Sequence, residues 1–508
     1  MQPEIMRIGV VGSGAMGRGI AQVCALSGMT VVLMDADAAV AQSAHAAIEA
    51  AITADLAKGR VSQGAAHSAM AALSVTDTLD GLKNTQLIIE AITEDLDAKR
   101  KLFADLEKVV DETCILASNT SSLSITTLGA ACRLPQRVAG MHFFNPVSRM
   151  RLVEVIEALR TDAVVVEQLE RVGRKIGKEV VRVRDTPGFL VNQVGRGYTL
   201  EAVNIVSEGV ATFEQVDQIM REAAGFRMGP FELLDLVGLD VNHHATEMIY
   251  SQFYQEPRYR PSPLMDMRVA AGVLGRKSGE GYYRYPADPP ALPKHPSAET
   301  LASSSPPHCS VWVSSAVPEA GAVVRDLVTS LGASLETGAR PSGQALCIVT
   351  PIGRDASHAA AVEELDPVRT VAIDVLFGLR THRTVMATCV TGQQWRDAAS
   401  ALFGADDVPV TVIRDSPGFV AQRIVAMIIN IGGALAQLRS ASPADIDRAV
   451  TLGLAYPHGP LAFANVLGAE SVHRLLGGLY ESFGDPRYRP VLWLKRRAAL
   501  NLNFCDGD

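Results

Sequence analysis

Residues 7–19 read RIGVVGSGAMGRG. A β-rich run from Arg7 to Val11 meets Gly12, Gly14 and Gly17 in G-x-G-x-x-G spacing, and a helical pattern, GRGIAQVCALSG, follows. The first glycine allows a tight turn, the second lets backbone approach a pyrophosphate, and the third lets helix and strand pack closely. The helix start then presents free N–H groups to phosphate. A second β-rich run, TVVLMD, ends in Asp35, about 20 residues past the first glycine, where a carboxylate accepts from an adenine ribose 2′-hydroxyl. DADAAV supplies no Arg or Lys to receive a 2′-phosphate. The pattern therefore predicts a doubly wound α/β domain that takes NAD rather than NADP, held by Gly12, Gly14, Gly17 and Asp35.

Working outward, LKNTQLIIEAITEDLDAKRKLF reads as strand, loop and helix, and TCILASNTSSLSITTL as a strand ending in a small polar loop, Ser118 to Ser122. Ligands of parallel sheets sit at such strand ends, which places Glu94, Lys99, Asn119 and Ser121 near the cofactor by topology. Each of them alone also suits an ordinary cap or turn. Lys58 and Arg60, in ADLAKGR, could meet a phosphate-bearing substrate, or simply belong to a solvated face.

The chain has 508 residues, enough for two to four domains. Hydrophobic residues at 48 % and charged residues at 20 % fit a soluble globular protein, and a net charge of −8 argues against nucleic acid as the main partner. Seven cysteines form no C-x-x-C pair, so the expectation is reduced thiols in the cytoplasm, with neither a disulfide framework nor a metal site. No signal peptide and no membrane-spanning run is read from the sequence.

A further stretch, MHFFNPVSRMRLVEVI at 141–156, places His142 and Glu154 in two adjacent apolar segments. The bland reading is a satisfied core histidine and a glutamate on a solvated face. The assembled motifs point elsewhere. GSGAMGRGIA, ASNTSSL, HFFNP, LVEVI, DTPGFLVNQ, GPFELLDLVGLD and KSGEGYYRY, in that order over roughly residues 5–286, resemble the 3-hydroxyacyl-CoA dehydrogenase family. The resemblance implies a Rossmann-like NAD domain followed by an all-α domain. It also implies reversible oxidation of L-3-hydroxyacyl-CoA to 3-oxoacyl-CoA in fatty-acid or phenylacetate-type degradation, and a homodimer or higher homo-oligomer. It makes His142 the general base and Glu154 the carboxylate that orients it. It sets Ser121 and Asn192 at the substrate oxygens near C3, and Asn145 beside the histidine. Glu94 and Lys99 fall near the nicotinamide-side ribose and the adenine end. Histidine suits the task because its ordinary pKa lies near neutrality. An L-gulonate-like sugar acid is the alternative substrate for the same pair, and a non-catalytic nucleotide-binding scaffold the alternative without turnover.

The second half repeats the first. RDTPGFLVNQ at 184–193 returns as RDSPGFVAQR at 414–423, and EPRYRP at 256–261 as DPRYRP at 485–490, an offset of about 230 residues. The expected divisions are an NAD domain over 1–184, a helical domain over 185–285 and a Pro/Ser-rich linker over 286–308. A truncated α/β unit over 309–410 and a second helical copy over 411–508 follow. The repeat lacks the chemistry. No glycine loop follows CSVWVSS, Gln422 stands for Asn192, and aligning RVAGMHFFN with TVAIDVLFG puts Val375 opposite His142. The second helical copy is expected either to pack on the first, or on its counterpart in another subunit, and shape the acyl pocket, or to be a stabilising appendage without effect on substrate choice.

Overall fold

The computed structural model describes residues 4–286 and 309–507, so the expected linker lies outside the described residues from 287 onward. Leaving aside the two C-terminal residues, the chain divides into two compact units. One holds Met1–Gln193 with Leu438–Leu454, the other Val194–Gln437 with Ala455–Asp506.

In the first unit, eight strands form one sheet: β1 (Arg7–Val11), β2 (Thr30–Met34), β3 (Leu73–Thr76), β4 (Leu87–Glu90), β5 (Ile115–Ser118), β6 (Val138–Phe143), β7 (Leu152–Glu157) and β8 (Glu179–Arg184). Their order is β3-β2-β1-β4-β5-β6-β7-β8, and β6–β7 is the antiparallel pair. The inner strands are continuous apolar runs because helices cover both faces; Ile8, Val10, Leu33 and Ile89 are fully buried. The chain moves outward through β2 and β3, then returns to β4 on the other side of β1. That reversal creates the crevice at the strand ends where a doubly wound sheet takes its ligand. The antiparallel hairpin pairs His142 directly with Glu154, so a twelve-residue separation becomes a cross-strand contact.

In the second unit, six strands form a smaller sheet: β9 (Val311–Val313), β10 (Leu335–Glu336), β11 (Leu346–Val349), β12 (Thr370–Ile373), β13 (Arg383–Ala387) and β14 (Val410–Ile413). The order β10-β9-β11-β12-β13-β14, again with one antiparallel pair, β12–β13, is the first sheet without counterparts of β3 and β4. The equivalence extends to side chains. Asp185 accepts from the backbone N–H groups of Ile125 and Thr126, and Asp415 does the same for Ala356 and Ser357.

The registers correct the sequence alignment. β11–β12 and β12–β13 pair Val349 with Ala372 and Ile373 with Val385, where β5–β6 and β6–β7 pair Ser118 with Gly140 and Met141 with Val155. Asp374, not Val375, therefore stands opposite His142, and Thr384 opposite Glu154. The cause is a one-residue slip: the turns Pro135–Arg137 and Pro367–Arg369 lead alike into β6 and β12, so Val138 answers to Thr370, whereas matching the Val-Ala pairs sets it against Val371.

The two helical copies contact each other inside the second unit. A Cβ placed on Gly197, in the helix Val191–Ser207, would lie 3.1 Å from the backbone nitrogen of Ile428 in the helix Ala421–Gln437, so glycine permits backbone contact there. Phe226 stacks on Phe463 with ring centroids 5.8 Å apart. The second copy is not one body, however. Its helix Pro443–Leu454 belongs to the first unit, where Ser440 accepts from the Arg184 N–H at the end of β8. Reciprocally, within the second unit Val210 accepts from the Arg414 N–H just past β14. Each sheet's last strand, an exposed edge in isolation, is thus covered by chain from the other repeat.

His382 anchors one of these exchanged contacts. Its side chain is fully buried, with Nδ1 2.8 Å from the Glu222 carboxylate and Nε2 2.9 Å from the Thr411 hydroxyl. Burial pushes its pKa below the ordinary 6.5, with Glu222 opposing. The folded state then binds fewer protons than the unfolded one, so this contribution is present above the ordinary value and lost as pH falls through the lowered one. Wild type is expected to lose more urea resistance than His382→Asn between about pH 7 and pH 5. Equal losses would remove His382 from the acid limb.

Candidate active site

The site is built at the carboxyl ends of β1, β4, β5 and β6. Gly12 has φ +98°, and a Cβ there would lie 2.5 Å from the Ala91 carbonyl oxygen; a Cβ on Gly17 would lie 1.8 Å from the Gly12 carbonyl oxygen. These contacts hold the first turn of the helix Ala15–Leu26 against the strand ends. A Cβ on Gly14 would meet nothing within 4 Å, so this glycine faces open space, as backbone meant to approach a ligand must. Asp35 lies across the turn and accepts from the Ser13 hydroxyl at 2.5 Å and the Ser13 N–H at 3.0 Å. Burial alone would raise its pKa, but the bonds from Ser13, Asp37 and Ala36 outweigh it and hold the carboxyl below its usual range. The glycine loop and Asp35 fit the adenosine and pyrophosphate of NAD.

His142 is 5 % exposed and Glu154 fully buried. His142 Nδ1 lies 2.7 Å from Glu154 Oε2, and the other carboxylate oxygen accepts from the Val191 N–H at 3.0 Å. A carboxylate only accepts, so Nδ1 carries the proton of this contact and Nε2 is the nitrogen left to exchange one. The rings of Phe144 and Phe189 flank the imidazole at 4.5 and 5.8 Å. The pair is therefore fixed in tautomer and orientation and shielded from water, as a base needs to be.

A loop on the β5 side completes the cluster. Glu94 Oε1 gathers the Thr120 hydroxyl at 2.6 Å, the Ser122 hydroxyl at 2.8 Å and the N–H groups of Ser121 and Ser122. Burial opposes ionisation here, but those bonds and the charge of Lys99 win, and the pKa is lowered. Asn192 Nδ2 donates to the Ser121 carbonyl at 3.3 Å. Asn119 Oδ1 accepts from the Phe143 N–H at 2.8 Å, tying the loop to β6. Asn145 is exposed in the hairpin turn.

Two placements differ from the sequence expectation. Lys99 is 1 % exposed; its ammonium bridges Glu90 at 2.5 Å and Glu94 at 3.4 Å, so it lies beneath the site and reaches a ligand only through Glu94. Lys58 and Arg60 are exposed past the helix Ala38–Ala57, Arg60 pairs with Asp55, and no ion pair or hydrogen bond among the described residues joins either to the cluster.

Sequence reading missed three supporting residues. Glu90, fully buried, accepts from Lys99, the Ser118 hydroxyl and the Ile92 N–H, and so fixes the loop beneath Glu94. A carboxylate in the apolar run LIIE was its signal. Lys178 donates to the carbonyls of Val147 and Met150 and clamps the β6–β7 turn. Ser13 orients Asp35. Among the described residues no group of three metal-ligating side chains forms a site, and no helix is long and apolar enough to cross a membrane.

Comparison with known proteins agrees with this geometry. The family model described as 3-hydroxyacyl-CoA dehydrogenase, NAD binding domain, matches residues 7–186. The model of the C-terminal domain of the same family matches twice, at 188–285 and 418–503, which identifies the repeat independently. A 3-hydroxyadipyl-CoA dehydrogenase of Escherichia coli (strain K12) is 36 % identical over 504 residues, 99 % of this chain and 100 % of that one. The mitochondrial hydroxyacyl-coenzyme A dehydrogenase of Sus scrofa is 40 % identical over 288 residues, 55 % of this chain and 91 % of its own. A crystal structure of 3-hydroxybutyryl-CoA dehydrogenase from Escherichia coli K12 superposes with a TM-score of 0.84 at 34 % identity, covering 98 % of this chain and 99 % of that one.

Proposed function

The chain belongs to the 3-hydroxyacyl-CoA dehydrogenase family, and from that premise we propose a role for each residue of the site. The protein is an NAD-dependent oxidoreductase that interconverts 3-hydroxyacyl-CoA and 3-oxoacyl-CoA. NAD supplies the hydride acceptor when bound. His142 Nε2 takes the proton of the C3 hydroxyl, and Glu154 keeps the proton on Nδ1 and stabilises the imidazolium that forms. The Ser121 hydroxyl and the Asn192 amide donate to the C3 oxygen as charge develops there. Gly12, Gly14, Gly17 and Asp35 hold the pyrophosphate and adenosine. Asn119 and Asn145 flank the nicotinamide side, and Glu94, carried by Lys99, sits at its ribose. The observation that carries this reading is the buried 2.7 Å contact between His142 and Glu154, with the second carboxylate oxygen already satisfied.

The substrate class narrows to 3-hydroxybutyryl- or 3-hydroxyadipyl-CoA, the names borne by two relatives similar over the full length. NADH absorbance is followed with acetoacetyl-CoA and 3-oxoadipyl-CoA, with free acetoacetate as control. Turnover of a thioester and not of the free acid is expected, and the thioester with the higher kcat/KM names the substrate. Equal turnover of free acetoacetate would remove CoA from recognition.

Asp35→Ala is expected to raise the KM for NADH roughly tenfold, since a charge-assisted hydrogen bond is lost, with little change in kcat. It should also improve the use of NADPH. Unchanged nicotinamide preference would take the ribose contact away from Asp35.

A cytoplasmic location and a homo-oligomer accompany this reading. All seven cysteines are free thiols, which supports the first. Leu236, Val237 and Val241, each about half exposed on the first helical copy, support the second, which light scattering tests.

A further inference from the structure

The second sheet has a switch point of its own. The chain leaves β9 for β10 on one side and returns to β11 on the other, so the carboxyl ends of β9 and β11 open a crevice between them. A cavity of about 370 Å³ fills it. Its floor holds Ser314, just past β9, and Thr350, just past β11, which are 1 % and 3 % exposed. The Ser314 hydroxyl donates to Glu363 at 2.5 Å. The Thr350 hydroxyl is buried without a partner among the described residues, an arrangement that native structures seldom leave without a ligand or water. The helix Pro318–Ser330 begins beside the cavity with no side-chain cap on its first-turn N–H groups. Pro351, Ile352 and Val362 form apolar wall. Arg354, which pairs with Glu481, also on the lining, and Arg474, which pairs with Glu470, stand at the mouth with side chains 26 % and 46 % exposed.

The crevice is not a second dinucleotide site. Gly321 keeps the close approach seen at Gly17, since a Cβ there would lie 2.4 Å from the Ser314 carbonyl oxygen, so the strand-to-helix turn survives. Ser314 replaces the glycine that ends β1, however, and brings a carboxylate to the place a pyrophosphate would need. Glu363 suits hydroxyl donors instead. The cavity also lies at the low end of small-molecule pockets.

We propose that this cavity binds a nucleoside monophosphate. Its base lies against the apolar wall. Its ribose hydroxyls donate to Glu363 and accept from Thr350. Its phosphate meets Arg354 and Arg474 at the mouth.

The test is calorimetric titration of the full chain with AMP after saturation with NAD, which fills the crevice of the first unit. One equivalent is expected to bind, with Kd between about 10 μM and 1 mM. Arg474→Gln should weaken binding roughly tenfold. Gly477→Phe should abolish it, because a Cβ at this cavity-lining glycine meets nothing within 4 Å and a ring there grows into the space. Thioester turnover should be unchanged in both variants. Absence of binding to the NAD-saturated protein at about 5 mM AMP overturns the proposal. So does binding that Gly477→Phe leaves intact, because the nucleotide would then sit elsewhere.

Discussion

His142→Ala lowers kcat for thioester oxidation by roughly 10²–10⁴-fold, the contribution of a positioned general base, and leaves NADH affinity little changed. The separation of kcat from cofactor affinity is the informative part. His142 sits on β6 beyond the glycine loop and makes no contact with Gly12, Gly14, Gly17 or Asp35 among those described, so removing it should not disturb the nucleotide cradle. Glu154→Gln should fall between wild type and His142→Ala. An amide can still accept from one neighbour, but it cannot stabilise an imidazolium as a carboxylate does. The double variant should cost about as much as His142→Ala alone, because the two residues act as one unit. Stopped-flow NADH absorbance with steady-state controls supplies both kcat and cofactor affinity. A His142→Ala enzyme within about tenfold of wild type would return the histidine to the ordinary core role that its apolar surroundings first suggest.

The parts of this site that were legible in the sequence are those written in short motifs. The glycine spacing, Asp35 at a strand end, and polar residues inside two apolar runs each break a local rule for a chemical reason. Glu90 breaks the same rule in LIIE. It escaped notice because its partners, Lys99 and Ser118, lie on the next helix and the next strand, so the ion pair appears only once the sheet is assembled. Lys99 was misread for the same reason. Its place beside the strand ends suggests a direct cofactor contact, yet this lysine is buried by the carboxylates it joins.

The fold divides along a similar line. Offsets between repeated motifs reveal duplication, and the lost glycine loop reveals decay. The misplacement of Val375 for Asp374 shows the limit of that method, since a chance Val-Ala match draws the alignment one residue off the register that strand pairing fixes. The exchange of the helix Pro443–Leu454 was not legible at all. Its amphipathic pattern specifies that one face is buried, and the pattern is the same whichever sheet covers it.

Arg423→Met is expected to destabilise the protein by about 3–5 kcal/mol. Arg423 occupies the position that Gln193 holds in the first copy of the motif. Gln193 donates to the Thr186 hydroxyl and the Phe189 carbonyl. Arg423 is fully buried and reaches the first helical copy. Its Nε lies 2.5 Å from Glu201, its terminal nitrogens 2.6 and 2.8 Å from Glu208, and its guanidinium stacks 4.6 Å from the Phe483 ring. Burial works against its charge, but Glu201, Tyr488 and Glu208 outweigh that and raise its pKa. Methionine fills similar space but leaves Glu201, 2 % exposed, with the Tyr488 hydroxyl at 2.7 Å and the more distant Arg487 guanidinium at 3.6 Å. The cost is therefore that of a buried carboxylate that has lost its nearest cation, and a second substitution, Glu201→Met, should recover most of it. Glu208→Ala, whose side chain is 41 % exposed, should cost no more than about 1 kcal/mol. Urea unfolding of the four proteins checks the set. If Arg423→Met costs less than about 1 kcal/mol, the contact between helical copies does not depend on this cluster. If the loss is large and rescued, one residue of a decayed motif has become the anchor that binds the second half of the chain to the first.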